Sequence, residues 1–154
     1  MAERIILYSG PKHVGKTTAL QAWAAARTDV AGFFTPVVHS RRYFLDVETG
    51  AQFPMEAMDG EPTLEIGRYR FSAAAFTRAG VILMEAMGRQ PILVVDEIGP
   101  LELQGKGFAH VVRALIQHLS GTLVLVVREE LLQDVKDYFQ IPQAKIVFSP
   151  KAPI

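Results

Sequence analysis

The sequence predicts an α/β fold: a mostly parallel sheet with helices on both faces. Three observations predict it. Short apolar runs alternate along the chain with stretches of helical spacing, the order that βαβ units produce. Two of the runs, Ile92-Leu93-Val94-Val95 and residues 123–127, are continuously apolar, as strands buried on both faces are. A third segment, Gly10-Pro11-Lys12-His13-Val14-Gly15-Lys16-Thr17, lies directly between an apolar run and a helix-forming stretch, where a glycine-rich turn at the sheet's carboxyl edge can bind phosphate.

Taken in order, Ile5-Ile6-Leu7-Tyr8 is the first strand and the glycine-rich turn follows it. Residues 17–27 are rich in Ala, with Leu20, Trp23, Ala24 and Arg27 on one stripe, and predict a helix ending near Thr28-Asp29. Residues 32–38 are of β type. Residues 43–48, the turn Thr49-Gly50 and residues 51–53 read as strand, turn and strand, a hairpin inserted at the sheet edge. Residues 54–62 carry Asp59-Gly60 and two prolines and predict a loop. Leu64, Ile66, Arg68 and Arg70 then alternate with Glu65, Gly67, Tyr69 and Phe71 as one further strand.

Ser72 is placed to cap a helix whose apolar positions are Phe76, Ala79, Gly80, Leu83, Met84 and Met87, with Gly88 and Pro91 beyond its end. Its methionines are expected to fill core. After the run at 92–95, Phe108, Val111, Val112, Leu115 and Leu119 mark a helix that ends at Ser120-Gly121. A strand at 123–127, a helix at 131–139 stopped by Pro142 and a short strand at 145–148 complete the chain. There is no internal repeat or low-complexity tract.

The chain has 154 residues, 49% of them apolar, which suits a single domain spanning 1–154 that buries roughly two-thirds of its unfolded surface. Sixteen Lys and Arg balance sixteen Asp and Glu, so the basic bias of a protein that grips nucleic acid through its phosphates is missing. Nucleic acid is possible but not indicated. Cysteine is absent, which excludes disulfides and thiolate chemistry. The N-terminal apolar run is too short for a signal peptide, and no run approaches a membrane span. A cytoplasmic monomer without membrane contact is expected.

The chemistry sits in two motifs. Residues 10–17 fit G-x-x-x-x-G-K-[ST], in which glycines let the backbone turn tightly and successive N–H groups cradle a polyphosphate. Gly10, Pro11, Lys12, His13, Val14, Gly15, Lys16, Thr17 and Thr18 are thus the candidate nucleotide-binding residues. Lys16 would reach the β- and γ-phosphates, and the Thr17 hydroxyl would ligate Mg²⁺. Asp96-Glu97 ends the apolar run at 92–95, the Walker B pattern. Asp96 would hold Mg²⁺, largely through water, since that ion keeps part of its hydration shell. Glu97 would orient and deprotonate the attacking water; an acid pair ending a strand can also be a helix cap or a solvated turn. Asp96-Glu97-Ile98-Gly99 also satisfies the D-x-x-G of GTPase switches, whose Gly N–H can contact a γ-phosphate. The chain contains no asparagine, so an N-K-x-D guanine box cannot exist, and base selectivity should be weak.

The run Asp96-Glu97-Ile98-Gly99-Pro100-Leu101-Glu102-Leu103, with Phe108 after it, resembles the D-E-I-G-x-M-E-L signature of the THEP family of small nucleoside-triphosphatases. Gly32-Phe33-Phe34-Thr35 is similar to that family's G-F-x-T strand, and Ile66-Gly67-Arg68-Tyr69-Arg70-Phe71 to its V-G-x-Y-x-V segment. The resemblance implies a three-layer α/β/α P-loop NTPase fold of RecA-like type. It also implies Mg²⁺-dependent hydrolysis of several nucleoside triphosphates to diphosphate and phosphate. Two places depart from the family: Lys12-His13 stand where it has Pro-Gly, and Pro36-Val37 where it has acids.

In RecA-like order the strand at 123–127 lies between the other two central strands, which would bring Arg128 to the γ-phosphate as a catalytic cation beside Glu97 and Lys16. The plainer alternative is a solvated arginine paired with Glu129 or Glu130. Arg68 and Arg70 could share a strand face along a substrate path or simply face solvent. Arg41 and Arg42, beside Tyr43 and Phe44, read as a charged hairpin tip before they read as a nucleic-acid patch. His39, His110 and His118 lack metal-ligand spacing. Hydrolysis of nucleoside triphosphates is the first functional reading; a small-molecule kinase and a nucleotide-holding switch are the alternatives. The Asp96-Glu97 pair favours the first, because a kinase has no use for activated water.

Overall fold

A computed structural model of the chain describes residues 2–11 and 15–154. Lys12, His13 and Val14 of the glycine-rich turn lie outside the described residues. The elements are β1 (Arg4–Ser9), α1 (Lys16–Ala25), β2 (Val30–Phe34), β3 (Val37–Val38), β4 (Arg41–Asp46), β5 (Gln52–Pro54), β6 (Thr63–Ile66), β7 (Tyr69–Ser72), α2 (Ala73–Ala86), β8 (Ile92–Ile98), α3 (Pro100–Leu103), α4 (Ala109–His118), β9 (Thr122–Val127), α5 (Leu132–Phe139) and β10 (Lys145–Phe148).

The main sheet runs β10-β1-β9-β8-β2-β4-β3, with β5 paired to β4. From β10 to β2 every neighbour is parallel, and β4 joins β2 antiparallel. As the RecA-like order requires, β9 lies between β1 and β8. The expected hairpin is β4–β5, paired from Tyr43↔Pro54 to Leu45↔Gln52 and lying at the sheet edge.

Side chains alternate across each strand, so the two faces have separate cores. On one face Ile6, Tyr8, Val94, Val124 and Val126 pack with Leu20 and Ala24 of α1. On the other, Ile5, Leu7, Leu93, Val95 and Leu125 pack with Ala79 and Leu83 of α2, Leu115 of α4 and Val135 of α5. That is why the central strands read as unbroken apolar runs. Gly32 in β2 sits opposite Val94 of β8 at φ +111°, and a Cβ there would collide with the Val94 carbonyl oxygen. Only glycine allows this close approach.

Four expectations are corrected. Residues 63–72 form two strands, since Gly67 at φ +56° turns the chain back and Ile66 pairs with Tyr69. The stretch expected as loop runs alongside this hairpin: Ser72 N–H donates to Met55 O at 2.8 Å and Ala57 N–H to Arg70 O at 2.9 Å. Met84 is 41% exposed and fills no core, although Met87 packs against it. The last helix ends at Phe139 as expected, but its stop is Gln140 in the left-handed region and not Pro142, with Ile141 N–H donating back to Lys136 O at 2.9 Å. The Ser72 cap is present, its hydroxyl accepting from Ala75 N–H at 3.1 Å.

Candidate active site

The start of α1 and the carboxyl ends of β8, β2 and β9 converge on one cavity of about 730 Å³. Gly15, at φ +73°, leads into α1 without a side-chain cap, and no acid occupies the first turn. The helix therefore presents N–H groups that no side chain among the described residues caps, at the positive end of its dipole. Lys16 is buried, and its ammonium donates to Pro11 O at 3.4 Å and Gly10 O at 3.5 Å. This folds the cation over the turn.

Asp96, in β8, is 1% exposed. Its Oδ2 accepts from the Thr17 hydroxyl at 2.7 Å and from Thr35 N–H at 3.1 Å. Burial raises its pKa, and the Thr17 and Thr35 donors with the nearby Arg42 charge pull it back. The Thr35 hydroxyl is buried beside it and forms no well-aligned hydrogen bond among the described residues. Two hard oxygens in contact with a third polar group underused beside them is a donor set that suits Mg²⁺ bound by few protein ligands. The residues present fit that ion.

Between Val95 and Ile98 the β8–β9 register shifts, and within that irregularity Glu97 lines the cavity, whereas Asp96 meets it through the lining residues Thr17 and Thr35. Desolvation, and then the Asp96 charge, push the Glu97 pKa upward; Arg128, Arg42 and Lys16 act against them. Arg128 follows β9 and lines the same cavity. It also makes a loose ion pair with Glu130 at 3.8 Å, while its Nε donates no hydrogen bond. A cation held this weakly can turn to another anion.

Gly99 N–H donates to Glu102 Oε1 at 2.8 Å, and Phe108 N–H donates to Glu102 Oε2 at 3.0 Å. The N–H that a D-x-x-G switch would offer to a phosphate is thus engaged within the chain. Glu102 is 3% exposed, and burial lifts its pKa to about 7 against these two bonds.

Of the candidate residues, Gly15, Lys16, Thr17, Thr18, Glu97 and Arg128 share the cavity wall. Gly10 and Pro11 meet it through Lys16. Arg68 lines the cavity from the β6–β7 turn, whereas Arg70 pairs with Glu65 at 3.4 Å, so the two share no face. His110 and His118 are exposed, and no cluster of three metal-ligating residues of the His, Cys, Asp or Glu type occurs among the described residues. Arg42 was underrated from sequence: it reaches Thr35 O at 3.4 Å and lines the cavity. The available signal was the two-residue period of β4, which puts Arg42 on the face of buried Phe44.

The family model described as NTPase matches residues 5–147. The chain is 32% identical over 143 residues to a cancer-related nucleoside-triphosphatase homolog of Bos taurus, covering 81% of this chain and 74% of that protein. It is 27% identical over 134 residues to nucleoside-triphosphatase THEP1 of Thermotoga petrophila, covering 79% and 70%. The crystal structure of THEP1 from the hyperthermophile Aquifex aeolicus superposes with a TM-score of 0.74 at 24% identity, over 94% of this chain and 88% of that one. With its α/β order, glycine-rich turn and Asp96-Glu97 pair, the chain belongs to the THEP family of small nucleoside-triphosphatases.

Proposed function

We propose that the chain hydrolyses nucleoside triphosphates to diphosphate and phosphate, with Mg²⁺ and with little preference for the base. The observation that carries this is the 2.7 Å contact between the Thr17 hydroxyl and Asp96, which brings the phosphate-binding turn and the paired acids to one point. Lys16 and the first N–H groups of α1 bind the β- and γ-phosphates. Thr17 and, through water, Asp96 hold Mg²⁺, which supplies neutralisation of phosphate charge. Glu97 orients a water at the cavity wall and accepts its proton; partial burial raises its basicity for that task. Arg128 stabilises the charge that develops on the transferring group. The absence of asparagine, and with it of an N-K-x-D guanine box, supports that weak preference.

Phosphate release from ATP and from GTP, with Mg²⁺ and no added acceptor, tests the reading. Both should be hydrolysed within about tenfold of each other, or about 1.4 kcal/mol in transition-state terms, and chelation of the metal should stop both. A preference beyond roughly a thousandfold, about 4 kcal/mol, would mean that a base-reading pocket exists.

A further inference from the structure

The cavity has two ends of opposite chemistry. Lys16, Thr17, Glu97 and Arg128 form one; Met55, Ile66, Phe71, Phe76 and Phe108 form the other. The apolar end is a ladder of rings. Tyr69 stacks on Phe71 at 5.9 Å with planes 2° apart, Phe71 meets Phe76 at 5.6 Å, and Phe76 stacks on Phe108 at 4.8 Å. It leads from a half-exposed hairpin into the core. Tyr69 and Val37 remain 52% and 59% exposed at its mouth. Two guanidiniums, Arg42 and Arg68, flank it, and neither is in an ion pair within 4 Å among the described residues.

A triphosphate and its metal use only the polar end. The nucleoside has another way out, because β10 lies on the other side of β1. There Phe148 pairs in register with Ser9, which leads into the phosphate-binding turn, and stays 47% exposed as a flat aromatic surface. No residue of β10 lines the cavity. We propose that the apolar end is a binding site for a second small molecule, a ring-bearing organic anion, held beside the terminal phosphate while a nucleotide occupies the turn. Rings match the aromatic ladder, and an acidic group matches Arg42 and Arg68. A concave, mostly apolar chamber with a few charged groups is the usual form of a small-molecule site. Because Glu97 lines the same cavity, the bound molecule sits beside the place of the water that Glu97 would activate. The proposal rests on the nucleotide reading of the polar end.

The probe is 1-anilinonaphthalene-8-sulfonate, which combines fused rings with one anionic group. Mg·ADP binding is first measured alone by calorimetry, and the probe is then titrated by fluorescence into protein saturated with Mg·ADP. The expected result is one probe per chain, bound alongside the nucleotide. Ile66→Asp, and on a different element Val37→Asp, should each weaken the probe by about tenfold while leaving Mg·ADP affinity within about twofold. Arg68→Ala should weaken the sulfonate probe by about threefold to tenfold and leave the neutral N-phenyl-1-naphthylamine unaffected. Displacement of the probe by Mg·ADP would show that the nucleoside fills the chamber and would overturn the proposal, as would probe affinity unchanged in both aspartate variants. Failure of Mg·ADP to bind at all would overturn the nucleotide reading itself, an outcome visible before any probe is added.

Discussion

The polar and apolar ends of the cavity are built from different kinds of backbone. The polar end hangs on the tips of β8 and β9 and on the first turn of α1, elements packed on the buried centre of the parallel sheet. The apolar end draws Ile66 and Phe71 from β6–β7, a two-stranded sheet outside the main one, and sets them against Phe76 of α2 and Phe108 before α4. Central strands are held by neighbours on both sides and by a core on both faces, so groups at their ends are fixed to the tolerance that phosphoryl chemistry needs. A peripheral hairpin lacks those restraints. What it can contribute is shape and selectivity, and it can change without disturbing the groups at the polar end.

Substitutions at the polar end put that division at risk. The largest effect is expected from Glu97→Gln. The amide keeps the size of the carboxylate and cannot take the proton of water, so hydrolysis should fall by about 10²–10⁴-fold while Mg·ATP still binds. A wild-type rate, read by phosphate release, would move the base elsewhere. Arg128→Ala comes next, with a loss of about 10²–10³-fold in kcat and little change in KM, because its contact strengthens only as charge develops. An unchanged kcat would leave Arg128 as the partner of Glu130 and nothing more.

Glu102 sharpens the contrast in a different measurement. An unfolded chain loses this proton near pH 4.5, whereas the buried carboxyl keeps it to about 7. Between those values the native state binds more protons than the unfolded one, so stability falls as pH rises through the window, by up to about 3 kcal/mol from this group. Urea unfolding across pH 4.5–7.5 should show that slope in the wild type and a shallower one in Glu102→Gln. The smallest effect is expected from Lys16→Ala, which removes one charge-assisted phosphate contact and should weaken Mg·ADP by about tenfold to a hundredfold with the fold intact. Unaltered affinity by calorimetry would detach the lysine from the phosphates.

The same contrast explains what could be read from the sequence. The glycine-rich turn and the Asp96-Glu97 pair were legible because their chemistry demands set residues at set spacing beside a buried strand. The central strands were legible because burial on both faces leaves no polar position in them. The β6–β7 hairpin was misread because its turn at Gly67 is so tight that the alternation of side chains carries straight through it. Glycine in an otherwise alternating run was the signal. Helix α3 was hidden inside the family signature, although Pro100 at its first turn is a favoured helix start. Arg42 was obscured by Arg41, since two adjacent arginines look like a solvated tip until strand parity sends them to opposite faces.

Gly32 shows how far from a catalytic group a single methyl can act. It lies opposite Val94 with no space for a side chain, and three residues further along the same strand exit, Thr35 N–H is bonded to Asp96. Alanine at position 32 would wedge the two strands apart and draw that donor off the carboxylate. The absence of one carbon atom thus works as a spacer gauge, setting the width of a joint whose far end closes on the Asp96 carboxylate.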